Sequence, residues 1–155
     1  MEQLKILNKK ETHEILDIVK QQWGAEIELD YGIMKNSHDK IYIASKAVFG
    51  LPLEKLKISA VGMYFGELIA EKHGQVLRVS IEGSQLIGPK ADNHIVELDD
   101  LQARDWLRGL DLDISTDERA FVLIKHKDDF LGCGKAMGDK ILNYVPKARR
   151  VTSSD

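Results

Sequence analysis

The chain carries one cysteine, Cys133, among 155 residues. That count excludes an internal disulfide and a cysteine-rich zinc site, and it fits a reducing compartment. No apolar run approaches the roughly 20 residues that cross a bilayer as a helix. The opening stretch, MEQLKILNKKE, has neither the apolar core nor the small-residue cleavage site of a secretory signal. The expectation is a cytoplasmic protein with no membrane association. Internal repeats are lacking, and the only low-complexity feature is the short polar end TSSD. The histidines His13, His38, His73, His94 and His126 form no i, i+4 pair, so no metal site is expected.

What is present is a lopsided distribution of charge. Between Arg119 and Arg150 stand eight Lys or Arg residues, and Asp128, Asp129 and Asp139 are the only acids there, a local net charge of +5. The whole chain is −3, so the remainder carries −8. Solubility alone gives no reason to sort charges this way, whereas binding of a phosphate backbone does.

A hydrophobic content of 43% is enough to pack a core, and the length allows one domain or two small ones. Asn8 with Glu11 three residues on has the spacing of a helix-capping box. Ile15, Leu16, Val19 and Trp23 then form one helical face that Gly24 ends. Alternation at Ile27, Leu29, Tyr31 and Ile33 predicts a strand, and a loop of about six residues, KNSHDK, joins it to a second strand, IYIAS. SKAVFG is read as a helical turn. Between Leu56 and Ala70 two kinked strands are expected, with Gly62 and Gly66 at a bulge or close backbone contact. Leu77 to Ile81 alternates as a strand, and a short helical turn leads to Gly88-Pro89, where a domain boundary is expected. Beyond it come the strand HIVEL and a helix capped by Asp99 or Asp100, with Ala103, Trp106, Leu107 and Leu110 on one face. The strands LDLDI, AFVLIKHK, FLGCGKAM and KILNYV follow, and Pro146 stops the last. The resulting expectation is an α+β protein: an N-terminal mixed α/β domain, residues 1–90, followed by a second small domain, residues 91–155, a compact β-barrel.

The chemistry-bearing motifs are weak. In GCGK, Asp129 stands where a phosphate loop needs its first glycine and Ala136 where it needs Ser or Thr; Met137 replaces the third glycine of a dinucleotide fingerprint. No nucleotide or other cofactor is expected. Gly132 and Gly134 either bend a barrel strand or let a nucleic-acid backbone approach. No histidine lies near Cys133 in a recognisable arrangement, and nothing places Asp128 and Asp129 in a pocket, so no catalytic residues are assigned. Trp23 and Trp106 fit core anchors better than stacking platforms. Tyr144 is open to two readings, packing inside the barrel or stacking on a base. The basic run Lys147, Arg149 and Arg150 is either a solvated tail or part of a cluster with Lys125, Lys127, Lys135 and Lys140.

The stretch from about His94 to Val151 resembles a PUA domain, a small RNA-binding pseudobarrel of RNA-modification and ribosome-assembly proteins. LQARDWLRGLDL matches the early helix and DFLGCGKAM the late glycine-containing strand that form its RNA-facing surface. DKILNYVPKARRV is similar to the end of the PUA-like domain of Nop/Sun-type RNA 5-methylcytosine methyltransferases. The chain contains no glycine-rich methyl-donor loop after a strand and no Pro-Cys or Thr-Cys pair for that family's nucleophile. The order of KIYIASKAV and LKISAVGMYFGELIAEKHGQVLRVSIEGSQLIGPKADNHIVEL is similar to small two-domain ribosome-biogenesis factors with an α/β domain before a PUA domain. The resemblance implies a non-catalytic protein that binds structured RNA (rRNA or tRNA), or alternatively docks an RNA methyltransferase or ribosome-assembly factor. By position it implies an RNA-facing set of Arg104, Arg108, Gly109, Lys125, Lys127, Gly132, Lys135, Lys140, Asn143, Tyr144, Lys147, Arg149 and Arg150.

Overall fold

The computed structural model describes residues 4–28, 31–45 and 62–152, which form two separate sheets and two hydrophobic cores. The first sheet is antiparallel, in the order β1 (Lys5–Ile6), β2 (Tyr31–Lys35), β3 (Lys40–Ser45), β4 (Met63–Glu71) and β5 (Gly74–Val79). Helix α1 (Lys9–Trp23) has the capping box foreseen from Asn8 and Glu11 and ends at Gly24, whose φ of 70° is left-handed. Its buried face is Ile15, Val19 and Trp23. Gln22 fastens the helix to β5, its side-chain amide donating to the Leu77 carbonyl and its side-chain oxygen accepting from the Leu77 N–H.

Helix α2 (Ile81–Ile87) leads through a 3₁₀ turn, Gly88–Lys90, into the second sheet. That sheet runs β6 (Ile95–Glu97), β7 (Phe121–His126), β8 (Asp129–Ala136) and β9 (Ile141–Asn143), with β6 parallel to β7 and the other pairs antiparallel. Helix α3 (Asp100–Leu107) lies between β6 and β7 in the chain, and Asp99 and Gln102 form its capping box.

Strand β7 explains why FVLI is apolar without interruption. Phe121 and Leu123 enter the core built on α1 and the first sheet, whereas Val122 and Ile124 enter a second core with Trp106, Leu112, Ala136, Ile141 and Val145. A strand buried on both faces loses the polar half of its alternation. The first core therefore crosses residues 90 and 91, joining Trp23 and Ile87 to Phe121, Leu123, Phe130 and Cys133.

Several expectations change. The strand predicted from Ile27 is observed only from Tyr31, where β3 offers a partner, Tyr31 facing Ser45; Ala25 and Ile27 are buried from a segment outside the ladder. The β2–β3 loop is four residues, 36–39, because the Asn36 side chain accepts from the N–H groups of His38 and Lys40 and closes it tightly. Residues 56–61 of the expected kinked pair lie outside the described residues, and from Met63 the chain runs as one strand, β4. Its irregularity is a register shift opposite Ile41 and Tyr42, and at Gly66 a β-carbon would collide with the Arg78 carbonyl. Strand β5 stops at Val79 because the Ser80 hydroxyl accepts from the Gly83 N–H and starts α2. Gly88 stays helical and Pro89 sits at the start of the 3₁₀ turn, a place where its missing N–H costs nothing.

Helix α3 ends at Leu107, so Leu110 is 52% exposed instead of extending the apolar face. LDLDI provides only one bridge, Leu112 to Ile141, and β9 ends at Asn143. Among the described residues no ladder joins β9 back to β6, so the hydrogen-bonded sheet is open. The helical turn read in SKAVFG, Pro52 and the strand start at Leu56 lie outside the described residues.

Candidate nucleic-acid interface

Tail and helix meet at the end of α3. After Asn143 the chain turns at Pro146, makes a 3₁₀ turn over Lys147–Arg149, and returns to α3, where the Val151 N–H donates to the Leu107 carbonyl at 2.8 Å. Gly109, with φ of 89°, leaves room for the Arg150 side chain, which crosses the place a β-carbon would occupy. Arg150 Nε donates to the Val145 carbonyl at 3.1 Å, fixing the guanidinium there. Arg149 pairs with Glu82 of α2 at 2.6 Å, while Lys147 is exposed. Arg104 is exposed on α3, and Arg108 caps its C-terminus, where a cation suits the helix dipole. The structure thus brings Arg150 onto Gly109 just past the end of α3, next to Arg108 in the chain, and directs Arg149 to α2.

Asn143 supports this corner from below. Its Nδ2 donates to the carbonyls of Trp106 and Leu110, and its Oδ1 accepts from the Val145 N–H. The side-chain amide is therefore spent on holding β9, α3 and the tail together. Lys140, at the start of β9, is exposed.

The remaining basic residues go elsewhere. Strands β7 and β8 are paired with Phe121 opposite Lys135 and Lys125 opposite Phe130, which sends Lys125 and Lys135 to opposite ends of the hairpin. Lys125 lies 3.7 Å from Glu97, and Lys127, in a left-handed turn with φ of 55°, lies 3.5 Å from Asp100. His126 also reaches Asp100, at 2.7 Å. These neighbours hold the Asp100 carboxyl below its usual range, with the hydrogen bond from His126 the largest cause. Lys135 is tied to Glu71 of β4 at 2.7 Å.

Gly132 and Gly134 have structural duties that the sequence left open. Gly132 is buried, with φ of 105°, and its N–H donates to the buried Ser84 hydroxyl of α2. At Gly134 a β-carbon would collide with Ile141 and Trp106. Cys133 between them is buried, and burial pushes its thiol up to about 12. A neutral, enclosed thiol is no nucleophile at neutral pH. Among the described residues no group of three or more His, Cys, Asp or Glu side chains could hold a metal ion. No helix among them is long and apolar enough to cross a membrane.

Tyr144 is 37% exposed and stands at the junction of the two sheets. The Arg78 guanidinium of β5 lies 4.5 Å above its ring centre, and the Phe121 ring is 6.0 Å away. Sequence reasoning missed Arg78 because it lies outside the basic stretch. Its only signal was a polar position within the alternation of Leu77, Arg78 and Val79.

Residues 93–151 match the family model described as the Methyltransferase RsmF PUA domain. Over 139 residues, 89% of this chain, it is 27% identical to a Vibrio cholerae protein named ribosomal RNA small subunit methyltransferase F, of which the match covers 28%. The protein of that name from Aeromonas salmonicida is 26% identical over 131 residues, 79% of this chain and 26% of the relative. The chain thus spans about a quarter of the length of these curated relatives.

Proposed function

From the premise that residues 93–151 are a PUA domain of the Sun-type methyltransferase kind, we propose that this protein is a non-catalytic RNA-binding module. Its target is structured rRNA, or tRNA, in RNA modification or ribosome biogenesis in the cytoplasm. In this reading residues 1–90 are an α/β domain set before a PUA-like pseudobarrel, residues 91–155. The observation that carries the proposal is the docking of the tail on α3. The Val151 hydrogen bond to Leu107 and the packing of Arg150 over Gly109 hold cations beside the helix end and restrict their motion.

Arg104, Arg108, Lys140, Lys147, Arg149 and Arg150 supply the phosphate contacts that set affinity and orientation. Of these Arg149, and besides them Lys125, Lys127 and Lys135, start in ion pairs and must exchange a carboxylate for a phosphate to contribute. Gly109, Gly132 and Asn143 shape the surface. The acidic remainder of the chain restrains unspecific attraction to polyanions.

Replacing Lys147, Arg149 and Arg150 together by Ala tests the reading. Titration of a structured rRNA fragment at several salt concentrations should show weaker binding, with the salt slope reduced by about two to three. An unchanged affinity and slope, with the fold intact by circular dichroism, would remove this surface.

A second reading is a protein-interaction subunit that docks an RNA methyltransferase or a ribosome-assembly factor. It is favoured by the curated relatives, in which the matching region is about a quarter of a longer chain. A partner retained after nuclease treatment would support it, whereas loss of every partner would support tethering through RNA.

A further inference from the structure

Between the two sheets, at Tyr144, lies a cleft of about 120 Å³ that includes Tyr64, Arg78, Ser80, Gly132, Tyr144 and Pro146 in its lining. At about 30 Å³ per water, it has room for about four waters, and the part-exposed Tyr144 ring is one of its walls. Arg78 is the one charged residue of the lining. The apolar sides and the single cation favour a planar ligand with negative charge nearby.

The cleft continues into a row of alternating rings and cations. Arg78 lies over Tyr144, Tyr144 meets Phe121, and Lys135 Nζ lies 4.4 Å from the centre of Phe121. Both cations are held by one strand, β4. Glu67 is the cross-strand neighbour of Arg78, 3.7 Å from its guanidinium, and Glu71, four residues on, takes Lys135 at 2.7 Å. The Arg78–Glu67 separation exceeds hydrogen-bond length, and the guanidinium also hydrogen-bonds the Tyr64 side chain, so a phosphate would be met by its remaining donors. At the inner end, burial, with the nearby Glu67 carboxylate adding to it, pushes the Tyr64 phenol up, so it remains a neutral donor and acceptor.

We propose that this cleft receives one unpaired nucleotide of an RNA strand. Its base stacks on the Tyr144–Arg78 pair, and an adjoining phosphate is met by Arg78 and Lys135. Bases stack on aromatic rings and on guanidinium planes, and a basic groove beside such rings follows a single strand. The site deepens the RNA-binding reading and rests on it, but it lies at the sheet junction, uses Arg78 from the N-terminal half, and needs none of the tail cations. It assigns that half a direct part in recognition.

The probe is a short unstructured RNA with 2-aminopurine placed at successive positions, read by fluorescence and titrated against the full chain. One position should change its emission on binding. Tyr144→Phe should bind as the parent does, Tyr144→Leu should lose roughly 5- to 100-fold in affinity, and Arg78→Gln should lower the salt slope by about one. Photocrosslinking the unaltered chain to 4-thiouridine RNA should label Tyr144 or its neighbours, a readout independent of any variant's folding. Parent protein that binds this RNA while Tyr144→Leu and Arg78→Gln bind equally well, with crosslinks mapping elsewhere, overturns the cleft and leaves the tail surface standing. Parent protein that binds neither this RNA nor structured rRNA overturns both.

Discussion

Arg150 lies across Gly109 so closely that a β-carbon on residue 109 would overlap its Nε and Cδ atoms. The basic tail is therefore seated by an absent side chain as well as by hydrogen bonds. Gly109→Ala combines two penalties, a strained φ of 89° and displacement of Arg150. The expected loss is about 1–3 kcal/mol for the backbone conformation, read as a lower urea midpoint with an unchanged slope. The same variant should weaken binding of structured RNA without removing any charge, which separates placement of the cations from their number.

Asn143 gives a second prediction. It was named from sequence as RNA-facing, but its amide holds the carbonyls of Trp106 and Leu110 and the N–H of Val145. Asn143→Ala should cost about 1–3 kcal/mol, since protein groups lose partners that water replaces only in part. Thermal or urea unfolding checks this. Asn143→Asp should not rescue stability, because a carboxylate cannot donate to the two carbonyls.

Cys133 should resist thiol reagents in the folded protein and react once urea is added. Its pKa is raised by burial from 9.0 to about 12. The unfolded chain therefore releases this proton first as pH rises. The group favours folding below pH 9.0, and that contribution diminishes as the pH moves from there towards about 12. Reaction of the native chain with a thiol reagent at pH 8, as fast as that of the unfolded chain, would contradict this environment.

Local patterns were legible where a neighbour a few residues away decides the structure. Asn8 with Glu11, and Gly24, mark helix ends through short-range hydrogen bonds that any reader of the chain can count, whereas the choice between Asp99 and Asp100 was settled for Asp99 by its bond with Gln102. The limits of β2 and β9 were not legible, because a ladder begins and stops where a distant strand provides partners. Leu110 followed the helical repeat, yet the left-handed Gly109 ended the repeat first. The candidate site was half visible. Summed charge located the basic stretch, but register determined that Lys125 and Lys135 point to opposite ends of one hairpin. Arg78 was invisible for the complementary reason, since its partner Tyr144 lies far along the chain.

The hydrogen bond from the Trp23 indole N–H to the Phe121 carbonyl, 3.2 Å long, spans 98 residues. Its consequence is temporal. Helix α1 leaves the ribosome before β7, but its largest apolar side chain has no finished burial site until β7 has been synthesised and paired. Contacts this far apart in sequence are slow to close, so assembly of the first core is governed by the arrival of the last third of the chain.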